Sequence, residues 1–523
     1  MSLMTHDTSG ATARAREHGA QRPGECQRAS DAELAQRRTL LTGASGYVGG
    51  AVLSQLETAG RRVRCLTRRP AALRERVGAH TEVVAGDALD RPSLDVALRG
   101  VHTACYLVHS MAQRADFEEL DHRAAANFGA AARDAGVSQI VYLGGLGGER
   151  DLSAHLASRH EVGELLRGHG VPTVELRASI VIGSGSASFE TVRALVERLP
   201  VVVSPPWAET LAQPIAIDEV VASLVAALNL RSPVDARYEI GGADRVTYPE
   251  LMREYARQRG LRRGVVRAPL VTPAVARSLL PLLVPGHGRV AGAMVSSLRN
   301  ETVVHREAAI GASGRQRRGF SAAIAEALAE EDREFAQRRW SEALGSARRR
   351  RFGGIAVGRR LVVSQVAGMG HARDGAFRPI ERIGGETGWY ATDWFWLLRG
   401  LLDRLRGGVG LRRGRRDPRR VRVGDAVDFW RVEQVEPGHL LRLCAEMKMP
   451  GRLWLQFEVD ESGPRTMLRQ TTIFDPAGYV GRAYWYLLYP VHRWVFARML
   501  RGISGAAQRE VLVPAQTRRP GRA

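Results

Sequence analysis

Leu40-Leu41-Thr42-Gly43-Ala44-Ser45-Gly46-Tyr47-Val48-Gly49 is a short apolar run that ends in three glycines spaced by three and passes directly into a helical pattern. Each glycine has its own duty in a dinucleotide-binding turn. Gly43 lets the chain leave a strand sharply, Gly46 removes a side chain where a pyrophosphate meets the backbone, and Gly49 lets the helix approach the sheet. Phosphates then lie at a helix N-terminus, where unpaired N–H groups and the helix dipole favour negative charge. Ser45, Tyr47 and Val48 share the turn and join the glycines as candidate cofactor contacts. The flanks agree: Arg38 to Leu41 fits a buried strand, and Val48, Val52, Leu53 and Leu56 recur at helical spacing. A second strand, Arg62 to Thr67, follows Gly60 and completes a βαβ start.

The end of that second strand selects the cofactor. A carboxylate there accepts from the ribose 2′-hydroxyl of NAD, whereas arginine suits the 2′-phosphate of NADP. The chain has Thr67-Arg68-Arg69, with no carboxylate, and two guanidiniums can form charge-assisted pairs with a phosphate. NADP(H) is therefore expected over NAD(H).

The glycine triplet, Ala85-Gly86-Asp87-Ala88 and the expected strands Ala104 to His109 and Ile140 to Gly145 together resemble an atypical short-chain dehydrogenase/reductase of the NAD(P)H-binding, NmrA-like kind. The resemblance spans roughly residues 38 to 310. It implies that Asp87 binds the adenine amino group and that Val108 to Ser110, His109 included, lines the nicotinamide ribose. From the residues alone, Asp87 equally suits a plain Asx turn.

Active members of that superfamily place a tyrosine four residues before a lysine on one helix, so that the lysine lowers the phenol's pKa. The corresponding stretch, His155 to Leu166, has no such pair. His155 and Arg159 carry the same spacing, and the residues that would supply the usual hydroxyl at the end of the fifth strand are Gly144 and Gly145. Two readings stay open. Either His155 is a replacement acid/base with Arg159 positioning the nicotinamide ribose, or the helix is a scaffold and the protein binds a nucleotide without turning it over. An arginine beside His155 favours the neutral imidazole in either case.

Elsewhere in the first half, Pro172 to Arg177 reads as a strand that leads into Ala178 to Glu190, a serine-rich stretch suited either to a ligand site at a strand's carboxyl end or to a polar loop opening a helix at Val192 to Leu199. Asp218 is expected to cap a late helix, and Tyr238 to Gly242 reads as the last strand and its turn. Ala268 to Val295, interrupted by four prolines, reads as helices and turns of a packed cap rather than a membrane span.

With 76 Lys and Arg against 55 Asp and Glu, the 523-residue chain carries a net charge of +21. Lys448 is the sole lysine, so the excess is arginine, as high-GC coding bias would also produce. The run Arg412 to Arg416 can bind phosphates nonspecifically, but helix-turn-helix, zinc-finger and aromatic RNA-binding signatures are missing, which argues against nucleic acid. Peripheral contact with an acidic membrane surface stays open. The four cysteines, Cys26, Cys65, Cys105 and Cys444, form no metal-ligand pairs, and three fall in expected strands, so no metal and a reducing cytoplasmic setting are expected.

The expected organisation is a disordered arm at 1–37, a doubly wound parallel Rossmann-type α/β domain with cap at 38–312, a helical linker at 313–352, an α+β domain at 353–510 and a disordered tail at 511–523. In the second half, aromatics crowd among expected strands at 427–432, 440–447, 453–459 and 466–474, and a final helix carries Leu487, Leu488, Val491, Trp494, Val495 and Met499. That order, with Gly388-Trp389-Tyr390, the Gly407 to Arg416 stretch and Asp428 to Val432, resembles a domain of unknown function with START-like, helix-grip character, which implies an apolar cavity. Glu446, Lys448 and Arg452 read as a surface ion cluster. The whole suggests an oxidoreductase acting on an apolar carbonyl or quinone-like small molecule. Its rivals are a non-catalytic NADPH-sensing binding or regulatory protein and a nucleotide-sugar epimerase-like enzyme.

Overall fold

The computed structural model describes residues 30–109, 117–148, 151–284, 291–292, 295–305, 317–337, 352, 354–357, 360–369, 373–390, 393–405, 407–408, 410, 415–418, 420–460 and 466–512. Ser110, Cys26, the arginines of 412–413 and most of both termini lie outside them. The chain divides into two compact units. The first takes residues up to 190, 206–248 and 270–323; the second takes 191–205, 249–269 and 324 onwards.

The first unit is built on a parallel sheet of β1 (Arg38–Thr42), β2 (Arg62–Thr67), β3 (Glu82–Ala85), β4 (Thr103–Tyr106), β5 (Gln139–Gly145), β6 (Thr173–Ala178) and a late strand, Ala236–Ile240, in the spatial order β3-β2-β1-β4-β5-β6 and then the late strand. The order reverses between β1 and β4, which is where such sheets open a ligand crevice. Successive strand residues serve opposite faces. Leu41, Cys65, Cys105, Val141 and Val174 pack under α2 (Tyr47–Thr58) and the helix Ile217–Leu228; Leu40, Leu66, Ala104, Tyr106 and Ile140 pack under α4 (Arg91–Leu98), α5 (Phe117–Asp134) and α6 (Ala154–Arg167). Burial on both faces explains the apolar runs at the centre of β1, β4 and β5. Val52 and Leu56 of α2 are fully buried, each stabilising the fold by roughly 1.5–3 kcal/mol relative to exposure. Burial also pushes the Cys65 and Cys105 thiols up to about 12.

Several local expectations need correction. Within the arm expected to be disordered at 1–37, residues 31–36 form α1 (Asp31–Gln36), with Ser30 and Glu33 making a reciprocal capping box, and residues 1–29 lie outside the described ones. The strand expected to reach His109 ends at Tyr106. Asp218 is not the cap of Ile217–Leu228: Ala216 holds that position, its N–H donating to Glu219, and Asp218 instead pairs with Arg318 at 2.9 Å. In the cap region the helix Pro273–Leu283 leaves Val275 and Leu279 about half exposed, so it is less packed than its composition suggests.

The second unit carries a seven-stranded antiparallel sheet. In spatial order its strands are Ile355–Val357, Arg360–Met369, Thr466–Pro476, Gly451–Asp460, Leu440–Ala445, Trp430–Glu436 and Ala426–Val427. One face alternates inward with Leu453, Leu455, Phe457 and Val459 and shares a core with Val495, Phe496, Met499 and Ile503 of the C-terminal helix Gly478–Leu512. That helix continues into the first two residues of the expected tail. The other face carries arginines among buried carboxylates: the guanidiniums of Arg360, Arg442 and Arg452 lie 5.2, 5.9 and 5.0 Å from the Trp454 ring centroid. Two members of the expected Glu446, Lys448 and Arg452 cluster have further partners. Glu446 pairs with Arg431 at 2.8 Å, whereas Arg452 points to Asp332 at 2.6 Å and to Asp475 at 3.3 Å.

Within the helical linker expected at 313–352, Phe320–Gln337 is a helix, and 338–351 lie outside the described residues. The segments 191–205 and 249–269 fold with the C-terminal half although the sequence reads as one continuous N-terminal domain. Their tie is electrostatic as well as geometric: Val201–Ser204 pairs in parallel with Gly264–Arg267, and Arg259 meets Asp475 at 3.0 Å.

Candidate cofactor cleft

The β1 turn has the geometry its glycines imply. Gly43 has φ +69°, and a Cβ on it would lie 2.7 Å from the Leu107 carbonyl oxygen. A Cβ on Gly49 would lie 2.1 Å from the Gly43 oxygen, so α2 rests directly on the turn. The Gly46 N–H donates to Gly43 O at 2.8 Å, and Gly46 is the N-cap of α2. Thr42 fixes the turn to the neighbouring strand: its hydroxyl donates to Cys105 O at 3.2 Å and accepts from Leu107 N at 2.9 Å. The Tyr47 side chain lies over Gly183 and Gly185, where added Cβ atoms would meet its ring.

A cleft of about 1040 Å³ opens at the carboxyl ends of these strands. Gly43, Ser45 and Gly46 form its floor, Arg68 and Arg69 one wall, Asp87 the adjoining wall, and Val108 and His109 the next. Both arginines are exposed at the end of β2, and the Arg69 N–H donates to the Thr67 hydroxyl at 3.2 Å. Arg76 also lines the cleft and was not singled out from sequence, although it follows the same strand end within one short helix. Asp87 does serve an Asx turn, accepting from Leu89 N at 3.0 Å, and it lines the cleft as well, so the two readings of it are compatible.

His155, Arg159 and His109 come within electrostatic reach of one another. Burial holds His155 down to about 3, helped by Arg159 and His109; burial and then Arg159 hold His109 down to about 4. His109 keeps an exposed surface although protein surrounds most of it. Both imidazoles are therefore neutral near pH 7. Arg159 stacks on Tyr142, its guanidinium 5.0 Å from the ring centroid, and donates to Leu143 O at the end of β5, while the Tyr142 hydroxyl donates to Arg159 O at 3.0 Å. The glycines that replace a β5 hydroxyl have a packing cause: Cβ atoms on Gly144 and Gly145 would lie 3.0 Å from Glu175 and 2.8 Å from Leu156.

The serine-rich stretch after β6 is largely engaged in its own fold. The Ser186 hydroxyl donates to Val181 O at 2.7 Å, and Gly185 N donates to Glu190 at 3.2 Å. Among the described residues no cluster of His, Cys, Asp or Glu is arranged to hold a metal, and no helix is long and apolar enough to cross a membrane.

Residues 43–180 match a family described as NAD(P)H-binding, and residues 363–499 match one described as a protein of unknown function (DUF2867). A (4-alkanoyl-5-oxo-2,5-dihydrofuran-3-yl)methyl phosphate reductase from Streptomyces griseus subsp. griseus is 34% identical over 229 residues, which is 42% of this chain and 73% of that protein. Among solved structures, the Citrobacter sp. triphenylmethane reductase complexed with NADP(H) is similar at 20% identity, over 56% of this chain and 100% of its own, with a TM-score of 0.45. The UDP-glucose 4-epimerase of Thermotoga maritima is similar at 13% identity, over 57% and 100%, with a TM-score of 0.43. With its glycine turn, its doubly wound sheet and a relative at 34% identity matched over 73% of that relative's length, the chain belongs to the NAD(P)H-binding family.

Proposed function

We propose that the protein is an NADPH-dependent oxidoreductase acting on an apolar, electron-poor carbonyl or quinone-like molecule. The observation that carries the cofactor choice is the cleft lining at the end of β2, where the sequence Thr67-Arg68-Arg69 offers arginines in place of a carboxylate and Arg76 joins them. The residues fit the cofactor: Gly43 and Gly46 leave space at the N-terminus of α2, the arginines would pair with a 2′-phosphate, Asp87 would accept from adenine, and Val108 and His109 would border the nicotinamide ribose. NADPH, when bound, supplies a hydride.

The residues near the reacting end suit a conjugated acceptor. A conjugated carbonyl or quinone, once reduced, leaves a delocalised oxyanion that hydrogen bonds can stabilise and water can protonate, so a strong general acid is dispensable. Neutral His155 and His109 offer hydrogen bonds without being appreciable acids at pH 7, and Arg159 adds positive charge beside them. The related Streptomyces reductase is named for a methyl phosphate ester of an oxo-dihydrofuran; the unsaturated carbonyl in that name supports the conjugated acceptor, and its charged phosphate does not support the apolar character.

The rival, an NADPH-sensing protein without turnover, is favoured by the absence of the Tyr-x-x-x-Lys pair and by the Arg159 contacts to Tyr142 and Leu143, which suit a scaffold. The second unit fits the START-like reading in one respect: the buried Gln470 amide and the indole N–H groups of Trp396 and Trp430 meet no hydrogen-bond partner among the described residues, as donors in a ligand cavity would.

Nicotinamide fluorescence titration of the full chain tests the cofactor reading. NADPH should bind much more tightly than NADH, and Arg68→Ala should weaken NADPH by roughly tenfold or more, the scale of a charge-assisted hydrogen bond, while sparing NADH. Equal affinities would remove the phosphate-reading role. NADPH binding followed by consumption with quinones or unsaturated ketones separates the enzyme from the sensor.

A further inference from the structure

In the second unit, the helix Asp393–Leu405 turns an apolar face to solvent. Trp394, Leu397, Leu398, Leu401, Leu402 and Leu405 are 60, 51, 48, 57, 43 and 76% exposed. At 100° per residue they occupy one continuous arc, while Trp396 and Asp403 are buried on the opposite side. An exposed stripe that dense is not a by-product of ordinary surface composition.

From Trp394 to Leu405 the exposed charge has one sign. Asp403 is the only carboxylate from Trp394 to Leu405, and it is 2% exposed, accepting from Lys448 N at 2.9 Å and Gly410 N at 3.0 Å. Arg404 is exposed at one margin of the stripe, while Arg399 at the other is half-buried with one guanidinium nitrogen enclosed. The C-terminal helix lies against this one, with Arg399 5.9 Å from the Tyr484 ring centroid and Trp396 6.2 Å from Phe496. It repeats the pattern: Val480, Leu487, Val491 and Trp494 are 72, 79, 38 and 43% exposed along one line. Arg493, Arg498 and Arg501 are exposed on the same helix, and no Asp or Glu occurs from Gly478 to Arg509.

We propose that this face docks on an anionic phospholipid surface, with the leucines and Trp394 entering the headgroup boundary and the exposed Arg404, Arg493, Arg498 and Arg501 meeting lipid phosphates. The composition is that of a helix lying in a membrane interface: leucine and tryptophan on the wet face, arginine at its margins, and a length too short to span. A second copy of the chain is the poorer occupant, because it would bring the same arginines and the same +21 charge to the contact. Docking does not depend on the cofactor cleft.

The test is co-flotation of the full chain with vesicles of phosphatidylcholine alone or mixed with phosphatidylglycerol, alongside tryptophan emission. Binding should require the anionic lipid, shift emission to the blue, and weaken when salt is raised to roughly 0.5 M, where screening shortens the reach of charge. Leu401→Glu with Leu405→Glu should reduce binding by about tenfold or more, and Arg404→Glu should reduce it less. NADPH titration and circular dichroism of each variant separate lost docking from lost fold, and because Arg404 is exposed, its variant remains informative if the double variant misfolds. No binding to anionic vesicles overturns the proposal. So does self-association in solution that the leucine substitutions abolish.

Discussion

His155 stays neutral because burial denies its protonated form the hydration that a charge needs, and a guanidinium lies beside it. Its folded pKa, about 3, lies below the ordinary value near 6.5. Between those values the unfolded chain binds the proton and the folded chain does not, so stability is fully present above about pH 6.5 and declines as pH falls toward 3. Wild-type protein should therefore lose urea resistance between pH 7 and 5, and His155→Gln, which cannot be protonated, should lose less. Superimposable pH slopes would mean that burial does not govern this imidazole. The turn residues were legible in sequence because glycine at a positive φ or a close backbone approach leaves a spaced signature, and Gly43 and Gly49 have those constraints. His109 as a neighbour of His155 was not legible. The two lie on different elements 46 positions apart, and nothing in either's local pattern reports a loop folding toward a helix.

Among the elements, Asp475 binds several pieces of the second unit to one strand. It is fully buried in Thr466–Pro476 and meets Arg259 at 3.0 Å, Arg452 at 3.3 Å and Arg360 at 3.6 Å. Arg360 is itself 1% exposed. Asp475→Asn keeps the size and removes the charge, leaving buried guanidiniums short of a counter-ion; the expected loss is about 3 kcal/mol or more in a denaturant titration. A loss below about 1 kcal/mol would mean that Asp332, which also pairs with Arg360 and Arg452, suffices alone. Four strands of this sheet were readable from alternating apolar residues and Pro-Gly turns. The strand Arg360–Met369 was not, because its outward face is also covered in part: Arg360 and Val362 are as buried as Leu361, so the period of two is blurred. The helix Asp393–Leu405 was missed for the opposite reason, since its apolar stripe faces water and its aromatics looked like strand residues.

For the whole molecule, the division into units crosses the sequence more than once. A reading by composition places everything from 38 to 312 in one domain, yet residues 191–205 and 249–269 fold with the C-terminal half. Composition does not change at residue 190 or 249, because the partners that claim these segments are distant in sequence: Asp475 for Arg259, and the chain around Gly478 for Arg263, whose guanidinium lies 3.0 Å from where a Gly478 Cβ would stand. A fragment of residues 30–323 keeps the complete parallel sheet and the cofactor turn but strands both segments without the rest of their unit. It should bind NADPH with near-native affinity while 191–205 and 249–269 become the first sites of limited proteolysis, at protease levels that leave them intact in the full chain. Their resistance in the fragment would show that the two segments fold stably without the C-terminal half. Loss of NADPH binding by a fragment that remains folded would show instead that the cleft needs the second unit for its shape.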